Sequence, residues 1–318
     1  MTTKSLKLRP IQPGDADVCA DWLLREEHLL PSIRGPLKAQ LGTLLDLETL
    51  KGAAICDARG EIAGIGLSAF AQSDRIDRHL QEPAPFLLSS LVLDDTGPSP
   101  LLDRRAIARA NARGGLDLVA HLMLGSWDLS SPHWRQAATL AHTAYVTDHS
   151  GYRINRALQE DWQREHDIYL ATGYRLHTSI PARTPSAISE PLPAPRNLYF
   201  ADTAFISRQV PGTSLSFVLQ WEPPRCHFTN AQQRLLAAAS RGLTDDQLAQ
   251  ALDLSRNTIK TLWRSIYDRI RLNLPEFSEL AETDNEQSRG KELRRSVLSY
   301  LQQHPEELRP YEAKRGRK

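Results

Sequence analysis

Arg256, Asn257, Lys260, Thr261 and Arg264 place five hydrogen-bond donors within nine residues, and no carboxylate occurs between Leu254 and Tyr267. At about 100° per residue, Asn257, Lys260, Thr261 and Arg264 gather on one side of a helix. Ile259, Leu262, Trp263, Ile266 and Ile270 gather on the other. Arg256 flanks the polar side at the first turn. A buried face opposite a cationic, donor-rich one suits contact with phosphates and base edges in a DNA major groove. Any surface helix also has a polar face, so the elements around this one must decide between the two.

Those elements are short and closely capped. Thr229 with Gln232, and Thr244 with Gln247, have the spacing of reciprocal capping boxes, and Ser255 can cap the third helix. Gly242 is a helix stop, Asp245 and Asp246 suit the positive end of the second helix, and Leu252-Asp253-Leu254 form a tight join. The stretch from Phe228 to Ile270 resembles the LuxR-type helix-turn-helix of bacterial transcription regulators. Gly242, Ala249, Leu252, Ser255, Thr258, Lys260 and Ile266 coincide with that family's pattern. The resemblance implies a four-helix unit that binds double-stranded DNA, usually as a homodimer. By position it assigns Lys260, Thr261 and Arg264 to the major groove. Ser255, Arg256, Asn257 and Thr258 fall beside phosphates or base edges. Three departures affect phosphate geometry: Asp245-Asp246 stand for Asn-Lys, Leu262 for His, and Ala231-Gln232 for Arg-Glu. Sigma-factor region 4 has a related motif, but no promoter-melting segment precedes this one. Farther on, Leu293, Val297 and Leu301 share a helix face that could dimerise or pack back on its own domain.

Composition sets the frame. A chain of 318 residues, 41% hydrophobic and 24% charged, can bury the cores of two domains. Cys19, Cys56 and Cys226 lie far apart, excluding a Cys-x-x-Cys zinc spacing and arguing against a disulfide framework. No apolar run approaches a membrane span, and "MTTKSLKLRP" has no apolar signal-peptide core, so a cytoplasmic protein is expected. Net charge is +1, with 16 Lys/Arg against 13 Asp/Glu from Phe228 onward. That sign favours the C-terminal part as the nucleic-acid side.

Before Phe228 the patterns alternate. "LKLRPI", "GAAICD", "EIAGIGLSAFA", "FLLSSLVL", "LDLVAHLML", "LYFADTAFIS" and "TSLSFVLQW" predict strands, the second and third as a hairpin turning at Ala58-Arg59-Gly60. "DADVCADWLL", "HWRQAATLAHTAYVTDH" and "EDWQREHDIYLATGYRL" predict helices, the last stopping at Gly173. Prolines between 181 and 197 make a loop, and Pro223-Pro224 suit a domain boundary. The expected class is therefore α+β: a mixed α/β domain over 1–222, then an all-α helix-turn-helix domain with a helical extension over 228–318.

The first part shows no receiver pattern for phosphorylation and no acyl-homoserine-lactone signature. Its landmarks "LKLRPIQPGDADVCADWL", "AAICDARGEIAGIGLSAF", "LSSLVLDD" and "YLATGYRLHTSI" resemble, in order, those of a GNAT-type acetyltransferase. That family holds the coenzyme A pyrophosphate in a glycine-rich loop at a helix start. The counterpart is taken to be "DDTGPSPLLDRR", where Pro98 and Pro100 remove amide donors beside Gly97. Glycines 60, 64 and 66 lie inside the hairpin and are not a nucleotide loop. His133, His142, His149 and His166 lack metal spacing. Asp94-Asp95 reads as a turn, and Trp127, Trp134 and Trp162 as core or pocket lining. The expectation is a transcriptional regulator, not an enzyme, with no catalytic residue, cofactor or metal, its N-terminal domain answering to a small-molecule ligand or partner, and no membrane. The alternative is a GNAT-like, acyl-CoA-dependent acetyltransferase fused to a DNA-binding domain.

Overall fold

The computed structural model describes residues 6–123, 132–162, 166–184, 186–209, 211–277 and 286–312. The chain forms two compact units, Met1–Gln220 and Trp221–Lys318. Among the described residues, no helix is long and apolar enough to cross a membrane.

Unit 1 is built on a seven-stranded sheet. Its strands are β1 (Lys7–Pro10), β2 (Leu50–Cys56), β3 (Ile62–Ala71), β4 (Leu116–Met123), β5 (Ile154–Trp162), β6 (Arg175–Ile180) and β7 (Arg196–Asp202), in the order β1-β2-β3-β4-β5-β7-β6. Neighbours are antiparallel except β4 and β5, which are parallel. The β2–β3 hairpin forms as the sequence predicts: Gly60 takes φ +84°, and the Asp57 carboxylate accepts from the Arg59 and Glu61 amides. Helices α1 (Ala16–Glu26) and α2 (Arg34–Asp46) lie together in the core of one sheet face. There Leu23, Leu37 and Leu41 meet Ile65, Val119 and Leu158.

Between β3 and β4 the chain makes three helices, α3 (Ser73–Gln81), α4 (Leu87–Leu93) and α5 (Arg104–Arg113). The predicted strand "FLLSSLVL" is corrected to α4. A short apolar run fits strand and buried helix equally. Tertiary contact decides here: Glu160 of β5 accepts from the Phe86 and Leu87 amides, satisfying the start of α4. Helix α6 (Pro132–His149) crosses from β4 to the parallel β5, as such a connection requires. The expected helix at "EDWQREH" is also corrected. Glu160–Trp162 complete β5, and α7 (His166–Thr172) follows, stopping at Gly173 with φ +105°. After β7 come α8 (Thr203–Ile206) and α9 (Ser214–Val218). "TSLSFVLQW" is thus helical in its centre, because the Thr213 hydroxyl caps the Ser216 amide.

Unit 2 contains only helices among its described residues: α10 (Asn230–Ala239), α11 (Asp245–Leu252), α12 (Arg256–Asn273), α13 (Glu286–Gln303) and two short 3-10 turns. Both capping boxes form, at Thr229/Gln232 and Thr244/Gln247, and Ser255 caps α12 through the Thr258 amide. Leu235, Leu248, Ile259, Trp263 and Ile266 build its core. Leu293, Val297 and Leu301 of α13 are buried in that same core, so this helix packs on its own unit. Glu307, fully buried, ties down the last turn by accepting from the Arg225 and Cys226 amides and the Tyr300 hydroxyl.

Candidate functional site

Helix α6 presents a periodic stripe of Trp134, Ala138, Ala141, Tyr145 and Asp148 to the sheet. Three of its inward positions are alanines, at 138, 141 and 144, and the facing strands offer Ala53, Gly66 and Ala120. Small side chains on both walls leave a cavity of about 250 Å³ between α6 and the sheet, closed on one side by Ile168, Tyr169 and Thr172 of α7. Leu122 adds apolar wall.

The polar groups along this cavity are paired with one another. His149 Nδ1 lies 2.7 Å from the Tyr145 carbonyl, which can only accept, so Nδ1 carries the proton. Its Nε2, 2.8 Å from Ser68 Oγ, then accepts from that hydroxyl. His142 Nδ1 and Ser214 Oγ are 2.9 Å apart, as are the hydroxyls of Tyr145 and Tyr174. Burial raises both phenols above their ordinary pKa, so they stay protonated. Gln159 Nε2 donates to the Tyr169 hydroxyl at 3.1 Å, and that hydroxyl donates to Asp161.

The parallel ladder between β4 and β5 ends beside this cavity. Register runs from Leu116/Ile154 to Ala120/Gln159, yet β4 continues to Met123 and β5 to Trp162. The outer edges stay paired, β4 to β3 through Met123 and β5 to β7 through Trp162. The two facing edges therefore part where the cavity meets Ala120–Leu122 and Gln159. Ligands of open sheets commonly bind where parallel strands end and the chain connections diverge.

On the opposite face, the parting is plugged by a buried ionisable cluster. His121 hydrogen-bonds through its ring to the Glu160 backbone and places Nε2 3.3 Å from Glu27 Oε1. Ser89 Oγ donates to Glu27 at 2.5 Å. The Arg196 guanidinium, 1% exposed, stacks 4.7 Å from Phe86 and 4.6 Å from Trp162. Burial pushes Glu27 up to about 7 against the pull of Arg196, and burial pushes His121 down to about 3. Glu160 is raised for the same reason as Glu27.

The segment matched to the pyrophosphate loop, "DDTGPSPLLD", lies between α4 and α5 and leads into the start of α5. It is stitched to the end of β3: Gln72 donates its amide to the Pro100 carbonyl and its side chain to Ser99. Asp94 forms a turn by accepting from the Thr96 amide, as expected of Asp94-Asp95. Residues 124–131, with Trp127, lie outside the described residues. Trp134 does line the cavity, whereas Trp162 belongs to the buried cluster. The described residues contain no group of three or more metal-ligating side chains, and all three cysteines are free and buried. The α6 stripe is the signal that could have revealed the cavity: alanine recurs where a packed helix normally shows leucine.

In unit 2, Ser255, Arg256, Asn257, Thr258, Lys260, Thr261 and Arg264 are all exposed along α12. Asp246 pairs with Arg256, and Asp245 pairs with Arg294 at 2.7 Å. The two acidic residues at the start of α11 thus have cationic neighbours within unit 2.

No protein-family model and no curated protein matches the chain. Among solved structures, a spermidine N-acetyltransferase SpeG variant from Vibrio cholerae is 8% identical, with 64% of this chain and 97% of that one covered and a TM-score of 0.39. NAA60 of Arabidopsis thaliana, in complex with acetyl-CoA, is 9% identical over 63% and 99% of the two chains, with a TM-score of 0.39. AAC(6')-Ib, in complex with paromomycin and acetyl-CoA, is 11% identical over 64% and 97% of the two chains, with a TM-score of 0.34. The N-terminal unit resembles the GNAT acetyltransferase fold. The expectation of a DNA-binding transcription regulator is corrected by this comparison, in which the matching structures are N-acetyltransferases. The physical reason lies in what the C-terminal pattern encodes. Capping boxes, a glycine stop and an apolar stripe build a compact helical unit whatever it binds, and an exposed polar face is what remains on any such helix.

Proposed function

We propose that unit 1 transfers an acyl group from a coenzyme A thioester to a small acceptor. The observation that carries the reading is the parting of β4 and β5 onto the cavity. Beyond Ala120 and Gln159 the facing backbone edges have no ladder between them. An arm bearing amide groups, such as that of coenzyme A, can hydrogen-bond to exposed strand edges as an added strand would. The GNAT-type landmarks that keep their expected elements, "LKLRPIQPGDADVCADWL", "AAICDARGEIAGIGLSAF" and "YLATGYRLHTSI", support the same reading.

When bound, the thioester supplies an activated acyl carbon. This chain's residues would place it and handle protons. The apolar walls exclude water from the acyl group. His149 Nε2, oriented by the Tyr145 carbonyl, holds the Ser68 proton and is a proton acceptor at the cavity wall. The Tyr169 hydroxyl gives its one proton to Asp161 and accepts from Gln159, which fixes the ring as part of the wall on the α7 side. In unit 2 we read α11 and α12, joined through Asp253 in the left-handed conformation, as a helix-turn-helix in geometry alone.

Acetyl-coenzyme A should raise the melting temperature by mass action, by an amount equivalent to about 2.7 kcal/mol at a hundredfold excess over Kd. Thiol release on adding a panel of amines would report transfer. No thermal shift at millimolar acetyl-coenzyme A ends this reading.

A further inference from the structure

We infer that the cavity under α6 receives a neutral, largely apolar group: an aromatic ring with several further carbons. The inference deepens the acyl-transfer reading and rests on it only for which substrate carries that group.

Size is the first argument. A dry apolar cavity of about 150 Å³ accommodates benzene. The present one is about 250 Å³, well beyond what a two-carbon acetyl group fills. The space is built in: Ala138, Ala141 and Ala144 face Gly66 and Ala120 across it. A β-carbon added at Gly66 would meet nothing nearer than Leu122 Cδ1 at 3.7 Å, so the volume reaches the strand backbone.

Charge is the second argument. Among the described lining residues there is no lysine or arginine and a single carboxylate, Asp148. The other polar groups are engaged: Ser68 with His149, His142 with Ser214, Tyr145 with Tyr174, and Tyr169 with Asp161. An ionised ligand group would lose its hydration and find few partners, a cost of several kcal/mol. A polyamine, with several ammonium groups, is the wrong chemistry. A ring is the right one, since the rings of Trp134, Tyr145, Tyr169 and Tyr174 offer faces and edges to pack against.

The test uses the full chain and 2-naphthol as a neutral probe, followed by thermal shift and fluorescence titration. Wild type should bind 2-naphthol and should not bind spermidine. Ala144→Phe, which fills the cavity from α6, should weaken 2-naphthol binding at least tenfold. Gly66→Ala narrows the same space without a clash and should weaken it a few-fold while the protein stays folded, which keeps the inference testable if the larger substitution does not fold. Absence of 2-naphthol binding, equal affinity in wild type and both folded variants, or displacement of 2-naphthol by spermidine would overturn it. Benzoyl-coenzyme A and acetyl-coenzyme A separate the sources. Displacement of 2-naphthol by the benzoyl thioester alone places the ring on the acyl donor. Binding of acetyl-coenzyme A alongside 2-naphthol places it on the acceptor. If 2-naphthol binds and is lost on filling but no thioester binds at all, the cavity inference stands and the acyl-transfer reading falls.

Discussion

Two glycines one strand apart give opposite forecasts, because their missing side chains point to opposite faces of the sheet. Gly52 of β2 is the register partner of Leu67, whose side chain belongs to the core beneath α1 and α2. A β-carbon there would lie 2.7 Å from Ile11 Cδ1, 2.8 Å from the Gly66 carbonyl and 2.9 Å from Leu67 Cδ2. The carbonyl belongs to the neighbouring strand and cannot swing aside. Gly66, on the cavity face, would meet Leu122 Cδ1 at 3.7 Å and the His121 carbonyl at 4.0 Å, both ordinary contacts. Replacing either glycine by alanine removes a similar amount of unfolded-chain freedom, worth about 0.4–1 kcal/mol in favour of folding. That gain is common to both and cancels in their difference. What remains is the overpacking at Gly52, about 1–3 kcal/mol. Gly66→Ala should therefore match or slightly exceed wild type, and Gly52→Ala should lie about 1–3 kcal/mol below Gly66→Ala. Urea unfolding of unit 1 would read this as a shift in midpoint at constant m-value. Equal losses in the two variants would mean that no space exists above Gly66, and the cavity argument would fail with it.

Two further forecasts concern buried acidic side chains. Glu27 is raised from 4.5 to about 7, so between those pH values the folded chain keeps a proton that the unfolded chain has released, and the group's contribution to stability falls as pH rises. Glu27→Gln removes that term: variant stability relative to wild type should climb between about pH 4.5 and 7, at up to about 1.4 kcal/mol per unit, and level off outside the window. A flat difference in thermal melts across this range would show that Glu27 is ionised throughout. In unit 2, Glu307→Ala leaves the buried Cys226 amide and Tyr300 hydroxyl without their acceptor. Leaving these buried donors unsatisfied should cost about 1–3 kcal/mol, and a chemical-denaturation difference under about 0.5 kcal/mol would contradict the anchoring role.

Much of this molecule was legible residue by residue, because the deciding interactions are local. A capping box needs only Thr244 and Gln247 three residues apart, and both bonds form. The Gly60 hairpin and the helix stop at Gly173 need a residue that tolerates positive φ. The α6 and α12 periodicities each span 18 residues, long enough to distinguish a helix from a strand. Where the deciding partner was distant, local reading failed. Residues 87–93 are helical because Glu160, far along the chain, caps them.

The candidate site belongs to the second kind. The alanines of α6 and the glycine of β3 are visible in the sequence, but a void exists only once a sheet sets one opposite the other. Likewise the ionisable cluster draws Glu27, His121, Glu160 and Arg196 from separate parts of the chain, and the shifted proton affinities of Glu27, His121 and Glu160 come from shared burial. Local propensity determined which segments could be helices or hairpins, because hydrogen bonds within a few residues suffice for that. Tertiary packing alone decided where small side chains leave space and where charges lose water, because both depend on atoms brought together from distant parts of the chain.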